Sequence, residues 1–381
     1  MKILHSSDWH LGKILHERSL LEDQQYVLKQ IHSLLKEDPH DLLIIAGDLY
    51  DRSLPSAEAT SLLSWFLTEL RKISNIKVII IPGNHDSASR LSFCSEIINQ
   101  ANIFFQTDLK KIDQPLSFKG KTETLDIYAL PFFNPFSFQT HQEGEEEKIL
   151  NQEEALQKAL SLISPKINSQ NINLLIAHLF VQGGEESDSE RKFIGSLGEV
   201  KATLLNDFDY VALGHLHRPQ KINDKIFYSG SLLKYSFSES SDQKQVLSID
   251  LTKRKKKITP FFLKPKRDLL KLKGSFFDLL NNEELKKYKN DFLEIELIDS
   301  SLILNPLALL KKRFPYLLAV KQNLPKGSSG EERIKLLTKT RNIEEDFLAF
   351  HKFLYGEKPS PKKMEIFHSF SKDLNDETSL S

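Results

Sequence analysis

The sequence holds one cysteine, Cys94, among 381 residues. No disulfide can form within the chain, which suits a reducing cytoplasm. Metal chemistry must then rest on histidines and carboxylates rather than thiolates. No run of 18 or more apolar residues occurs, so no segment is expected to span a bilayer as a helix. The opening MKILHSSDWH lacks the apolar core of a secretion signal and reads as a strand from residue 2. Net charge is missing too: 52 basic residues balance 52 acidic ones, so any polyanion contact depends on where the charges sit. Acid gathers at EGEEE (143–147) and EESDSE (185–190), base at KRKKK (253–257) and KPKR (264–267). The acidic runs read as solvated loops. The basic runs read equally as solvated edges or as phosphate contacts. Internal repeats and long low-complexity stretches are absent as well.

What is present is an alternation of short apolar runs and amphipathic segments over roughly the first 260 residues, the βαβ signature of an α/β chain. Strands are expected at Lys2–His5, Leu42–Ala46, Val78–Pro82, Leu125–Leu130, Asn173–Ala177, Tyr210–Leu213, Ile226–Tyr228 and Val246–Leu251. Helices are expected at Leu21–Lys36, Ala57–Ser74 and Glu153–Leu162. The early strands are continuously apolar, as in sheets covered on both faces, and the closer spacing of the later ones implies mixed sheets. The chain is too long for one ordinary core. A proline-marked linker, TPFFLKPKR (259–267), leads to a small α/β unit with strands at Leu269–Leu272, Phe292–Ile298 and Tyr316–Gln322 and helices at Phe276–Leu285 and Asn305–Arg313. A flexible link, PKGSSGEER (325–333), follows. The expected domains are therefore 1–262, 268–325 and a helical segment at 340–376. In that tail Ile343, Phe347, Phe350 and Leu354, then Phe367, Phe370 and Leu374, repeat at helical spacing around a turn at GEKPSPKK. This is a helical hairpin whose apolar stripe either packs on its own chain or docks on a partner, since helices this short are marginal alone.

Five stretches at strand ends carry the chemistry: SDWHLG (7–12), AGDLYD (46–51), PGNHDS (82–87), IAHLF (176–180) and LGHLHRP (213–219). Each places Asp, Asn or His just past the carboxyl end of a strand, where open α/β sheets bind ligands. Gly47, Gly83 and Gly214 immediately precede three of these polar residues and allow close backbone approach. Taken singly, the stretches are weak. Asp48 alone reads as an N-cap or turn former, and His178 alone as a satisfied core histidine. The ordered set of Asp8, His10, Asp48, Asn84, His85, His178, His215 and His217 at one sheet edge reads as a site. The remaining histidines read as surface, loop or packing residues.

In an extended segment residues i and i+2 share a side, so Asp8 and His10 can grip one ion, while His215 and His217 can reach two neighbouring ones. Two close cations need a bridging anion. Asp48 is the natural bridge, and Asn84 offers a neutral oxygen. This donor set suits Mn, Fe or Zn better than Mg. Two such cations activate water and withdraw charge from a phosphoryl oxygen, so phosphate-ester cleavage is the expected reaction. The side chain of His85, beside a ligand, should point elsewhere. It either packs behind the ligands or contacts the phosphate and gives a proton to the leaving oxygen, with Asp86 placed to orient the ring.

The pattern D-x-H, G-D, G-N-H-D, H, G-H-x-H resembles the calcineurin-like metallophosphoesterase superfamily. MKILHSSDWHLGK, GDLYDRSLPS, DYVALGHLHRPQ and YSGSLLKYSFSE resemble, more closely, the SbcD family of bacterial nuclease subunits. The resemblance implies a four-layer αββα metallophosphoesterase sandwich with a small α/β capping domain and a C-terminal helical hairpin. It implies Mn-dependent cleavage of DNA: 3′→5′ exonuclease action on duplex ends and endonuclease action on single strands or hairpins. It places one metal on Asp8, His10, Asp48 and His217, the other on Asp48, Asn84, His178 and His215, and leaving-group chemistry on His85. It also implies a homodimer within a heterotetramer, whose C-terminal helices grip the coiled coil of an SbcC-type ATPase. The alternative is a phosphoprotein phosphatase or other small-substrate enzyme. GDLYDR resembles the phosphatase motif whose arginine, here Arg52, clamps phosphate, although the aspartate of GNHD and the extra domains argue against it.

Overall fold

LLIIA (Leu42–Ala46) is buried at every position and KVIII (Lys77–Ile81) at all but its first, as parallel strands covered on both faces must be. A computed structural model describes the chain except residues 74, 75, 94, 121, 139–148, 191–197, 302, 323–342 and 369–381. The expected link at 325–333, the acidic run at 143–147, and Phe370 and Leu374 of the tail lie outside the described residues.

Two six-stranded sheets form the first unit, Met1–Leu270. In the first, the order is Lys256–Phe262, Gln245–Leu251, Lys2–Ser6, Leu42–Ala46, Lys77–Ile81, Ile103–Phe105. The last four run parallel, with Leu4 opposite Leu43 and Leu43 opposite Val78, and the first two are antiparallel additions. In the second, the order is Gln220–Lys221, Ile226–Tyr228, Tyr210–Gly214, Ile172–His178, Thr124–Leu130, Leu116–Lys119. Its four central strands are parallel and both edges antiparallel. Ile3, Leu42, Ile44, Ala46 and Ile79 of one sheet interlock with Ile127, Leu174, Ile176, Tyr210 and Ala212 of the other. The outer face of the second sheet, with Leu175, Val211 and Leu213, packs against Ala155, Leu156, Ala159 and Ile163 of the helix Gln152–Ile163. Helices Leu21–Glu37 and Ala57–Arg71 bury their own apolar stripes, and Trp9 meets Phe66 edge-on at 5.1 Å. The first unit is thus a helix–sheet–sheet–helix sandwich of mixed sheets.

One boundary differs from the sequence reading. TPFF, read as linker, completes the strand Lys256–Phe262. Pro260 is tolerated because this strand is the sheet's outermost, where a missing N–H costs no ladder bond.

The second unit, Lys271–Ser381, contains a three-stranded sheet of Leu269–Gly274, Phe292–Leu297 and Leu317–Gln322. Its small core includes Leu279, Leu293, Ile295, Leu310 and Phe314. The expected helix at Phe276–Leu285 is shorter, Phe276–Asn281, because Asn282 leaves the helical region and caps a 3₁₀ turn, Glu283–Tyr288. Likewise Asn305 takes a left-handed conformation and Pro306 starts the next helix, Pro306–Lys311. Ile343–Tyr355 and residues 361–368 are helical, and the rings of Phe347 and Phe367 stack with centroids 4.1 Å apart.

Candidate metal centre

Because the central strands of each sheet are parallel, the loops after them emerge at one edge, and the facing of the two sheets brings both sets together. The seam is tight. The His178 ring, from the second sheet, hydrogen-bonds through Nδ1 to Ala46 O of the first at 3.0 Å. A Cβ on Gly214 would strike Ala46 O, one on Gly47 would strike His178 Nδ1, and one on Gly83 would strike Asp48 Oδ1. The three glycines singled out in the sequence are therefore steric necessities of the seam.

All eight residues expected at the site lie in this seam. Seven of them are 4% exposed or less, and Asn84 is half-buried. Asp8, His10, Asp48 and His215 adopt φ of 52°, 44°, 47° and 105°, so the i, i+2 argument for Asp8 and His10 fails: they sit in left-handed turns beyond the strand, not in extended chain. Such strain in non-glycine residues collects at functional sites. Here backbone bonds hold it, with Asp8 N donating to Gly47 O at 3.1 Å and His10 N to Asp48 O at 2.9 Å.

The donor atoms converge. His178 Nε2 lies 2.9 Å and His215 Nδ1 3.2 Å from Asn84 Oδ1. His10 Nε2 lies 3.0 Å from His217 Nε2. Asp48 Oδ2 sits between the two groups, 3.5 Å from His10 Nε2 and 3.5 Å from His178 Nε2. Asp8 closes with His10 and His217 on one side and with Asp48 and His178 on the other, all ligand atoms within 4.8 Å. Ligands about 2.0–2.2 Å from a cation lie roughly 3–3.5 Å from one another, so these spacings suit coordination. The facing imidazoles give the sharper test. His217 Nδ1 is engaged by Ser189 Oγ at 2.5 Å, and His10 Nδ1 faces Asp51 Oδ1 at 3.6 Å, beyond a direct hydrogen bond. With each ring protonated at Nδ1, the two Nε2 lone pairs face each other at 3.0 Å and repel. A cation shared by both Nε2 atoms resolves the conflict, so the residues fit divalent metal ions.

Electrostatics divide the ligand set. Burial pushes the Asp48 carboxyl up, but His178, His10 and His85 around it more than offset this and hold it well below the usual range. Burial raises Asp8 to about 6 against the pull of His178 and His217. Burial, then His178, drives His215 down to about 3, and burial lowers His10. Against the burial that lowers them, Asp48 raises His178 to about 9 and Glu239 raises His217, so a cation that takes these two imidazoles in their neutral, ligating form must displace protons there.

His85 stands apart from the ligand atoms. Its N–H donates to Asp48 Oδ1 at 2.8 Å, its Nδ1 bonds Asp51 O at 2.9 Å, and its Nε2 is 3.9 Å from Asp48 Oδ2. The ring's orientation is thus set by Asp51, not by Asp86 as the sequence implied. Asp86 instead accepts from Leu49 N, Tyr50 N and Gly83 N at 2.9–3.0 Å, tying two of the loops together. Arg52 projects outward, 68% exposed.

Sequence reasoning missed several neighbours. Asp51 forms a third close group with His10 and His85 and pairs with Lys13 at 2.8 Å. Gln24 donates to His10 O at 2.7 Å, and Tyr235 donates to Trp9 O at 2.5 Å. Ser187, Glu190 and Glu239 are buried behind His217. EESDSE is therefore no solvated loop throughout. Spacing could not reveal these residues, because they come from segments whose only signal is charge or hydroxyl content.

Comparison with known proteins agrees with the site. Residues 1–219 match the calcineurin-like phosphoesterase family. The chain is 38% identical over 323 residues to the D subunit of the SbcCD nuclease of Staphylococcus epidermidis, covering 84% of this chain and 85% of that one. Two solved structures, a Thermus thermophilus protein and a Danio rerio dimetal phosphatase, each match 68% of this chain and 98% and 95% of their own, at 14% identity and TM-scores of 0.39 and 0.43. Those two likenesses are too slight to argue from.

Proposed function

The chain belongs to the calcineurin-like phosphoesterases and, within them, to the SbcD nuclease subunits, and from that premise we propose that it is an Mn-dependent DNA nuclease subunit working beside an SbcC-type ATPase. The coarser statement needs no proposal: the chain is a hydrolase of phosphate diesters. Asp48 Oδ2, equidistant at 3.5 Å from His10 Nε2 and His178 Nε2, supports the two-metal part of this reading, and the likeness to the D subunit of the SbcCD nuclease supports its substrate. A carboxylate there would serve two cations, one that Asp8, His10, Asp48 and His217 would hold and another that Asp48, Asn84, His178 and His215 would hold.

When bound, two such cations supply charge neutralisation of the phosphate and a water acidic enough to attack near neutral pH. The chain's residues do the rest. The buried seam excludes bulk water, which strengthens every interaction in it. His85 Nδ1 bonds the Asp51 carbonyl, which fixes the ring with Nε2 on the Asp48 side, placed to contact the phosphate and hand a proton to the leaving oxygen. The substrate reading is 3′→5′ exonuclease action on duplex DNA and endonuclease action on single strands or hairpins, in repair and recombination within the cytoplasm. Among the described residues no helix is long and apolar enough to cross a membrane. Residues 268–325 take the role of a capping unit that places DNA, and the helices within 340–376 bind the coiled coil of the ATPase in a dimeric assembly.

The test is cleavage of single-stranded and hairpin DNA by purified protein with Mn. Asp48→Ala should abolish activity and metal binding together. His85→Ala should keep the metal and lose about 10²–10⁴-fold in rate. Full activity in His85→Ala would remove its role. Faster turnover of phosphopeptides than of DNA would instead favour a phosphatase.

A further inference from the structure

His217 is held at every polar atom but one. Its N–H donates to Glu190 Oε1 at 2.8 Å, and its carbonyl accepts from Lys244 Nζ at 2.8 Å and Ser231 N at 3.0 Å. Ring Nδ1 meets Ser189 Oγ at 2.5 Å. Ser189 in turn lies 2.5 Å from Glu239 Oε1. Only Nε2 remains, facing His10 Nε2 at 3.0 Å.

The hydrogen bonds of this relay can run in only one direction. Glu239 is fully buried, its Oε2 paired with Lys244 at 2.6 Å. Its Oε1 also accepts from Tyr235 N at 3.3 Å and Ser236 Oγ at 3.1 Å. A carboxylate paired with a lysine ammonium and facing that many donors is held as the anion. An ionised carboxylate can only accept, so the one hydroxyl proton of Ser189 points at Glu239. Ser189 Oγ then faces His217 Nδ1 with a lone pair, and Nδ1 must carry the ring proton. In the neutral ring that can ligate, Nε2 then has its lone pair aimed into the seam.

We propose that Ser189 and Glu239 are positioning residues for the metal centre: Ser189, polarised by Glu239, locks His217 in the Nδ1–H tautomer so that Nε2 is held ready for a cation. The proposal rests on the reading of His217 as a ligand. It explains why a charged pair is buried here, since such a pair is weak evidence for stability in itself. It also gives a use to EESDSE, which supplies Ser189 to the ring and Glu190 to the backbone of the same histidine. Two other seam histidines lean on main chain instead, His178 on Ala46 O and His85 on Asp51 O. At His217 the partner is a side chain, which substitution can remove without touching the fold of the sheets.

The experiment is Mn binding by calorimetry on the full chain, with His-labelled nitrogen NMR of the metal-free protein. Ser189→Ala, Ser189→Thr and His217→Ala are compared with the parent. Ser189→Ala should weaken one of two Mn sites by about 10–100-fold, the usual effect of losing such a partner, and should turn the His217 signal into a tautomer mixture. Ser189→Thr, which keeps the hydroxyl, should restore both. Unchanged affinity and tautomer in Ser189→Ala, with loss of a site in His217→Ala, would overturn the proposal and leave the two-metal reading standing. Unchanged affinity in His217→Ala would sink that reading and this proposal with it. Thermal melting of each variant separates misfolding from a local effect.

Discussion

At the residue scale, two fully buried histidines of one edge show how position decides role. His178 closes strand Ile172–His178 and reaches the seam, whereas His5 lies within strand Lys2–Ser6 and faces the inter-sheet core. His5 Nδ1 meets Tyr210 OH at 3.0 Å and Nε2 meets Leu213 O at 3.1 Å. Burial pushes His5 from its ordinary 6.5 down to about 3. Between those values the unfolded chain binds a proton that the folded chain refuses, so stability rises with pH across that window. The contribution is present above pH 6.5 and is lost as pH falls toward 3. From pH 7 to pH 5 the loss is about 2 kcal/mol for this group. His5→Gln cannot be charged, so its stability should fall less over that interval, by about that amount, in metal-free denaturant titrations. Equal slopes in both proteins would mean that His5 is not held neutral.

At the scale of elements, the seam depends on what is missing from its glycines. A Cβ on Gly214 would meet the backbone of Ala46 and the ring of His178, and neither sheet can withdraw without opening the core between them. Gly214→Ala should cost about 1–3 kcal/mol as overpacking and loosen metal binding, because Ala46 O fixes His178. Gly198→Ala, where the added atom meets none of the described residues, should change stability by less than about 0.5 kcal/mol. Melting curves of the pair decide it, and equal shifts would refute the seam argument. The same scale explains what could be read in advance. Strand–loop junctions were legible because a short apolar run ending in Gly-Asp, Gly-Asn-His or Gly-His has few other uses. Strand Lys256–Phe262 was not, since a proline reads as a break until the strand is known to be an edge. Ser189, Glu190 and Glu239 were not, since pairing across some 50 residues between two loops leaves no periodicity to detect.

At the scale of the whole molecule, the catalytic sandwich is complete within Met1–Leu270, yet the chain continues. Its last helices, Ile343–Tyr355 and residues 361–368, are too short to be stable in isolation. Stacking of Phe347 on Phe367 gives them a hinge point. Beside it lies an apolar groove of about 410 Å³ lined by Phe347, Phe350, Leu354, Ile366 and Phe367. Phe350 and Ile366 remain 49% and 51% exposed. Packing on its own chain accounts for the stacked rings, and the 49% exposure of Phe350 leaves apolar surface for the partner helix proposed above. Phe350→Glu combined with Ile366→Glu adds charge only where side chains are already half solvated, so the free subunit should fold and should still cleave single-stranded DNA with Mn at the parental rate. Co-purification with the proposed ATPase partner should be lost, because burying two carboxylates in an apolar contact is costly. Retained co-purification would place the partner's contact elsewhere on the chain, while loss of cleavage by the free subunit would mean that the hairpin serves the catalytic unit itself.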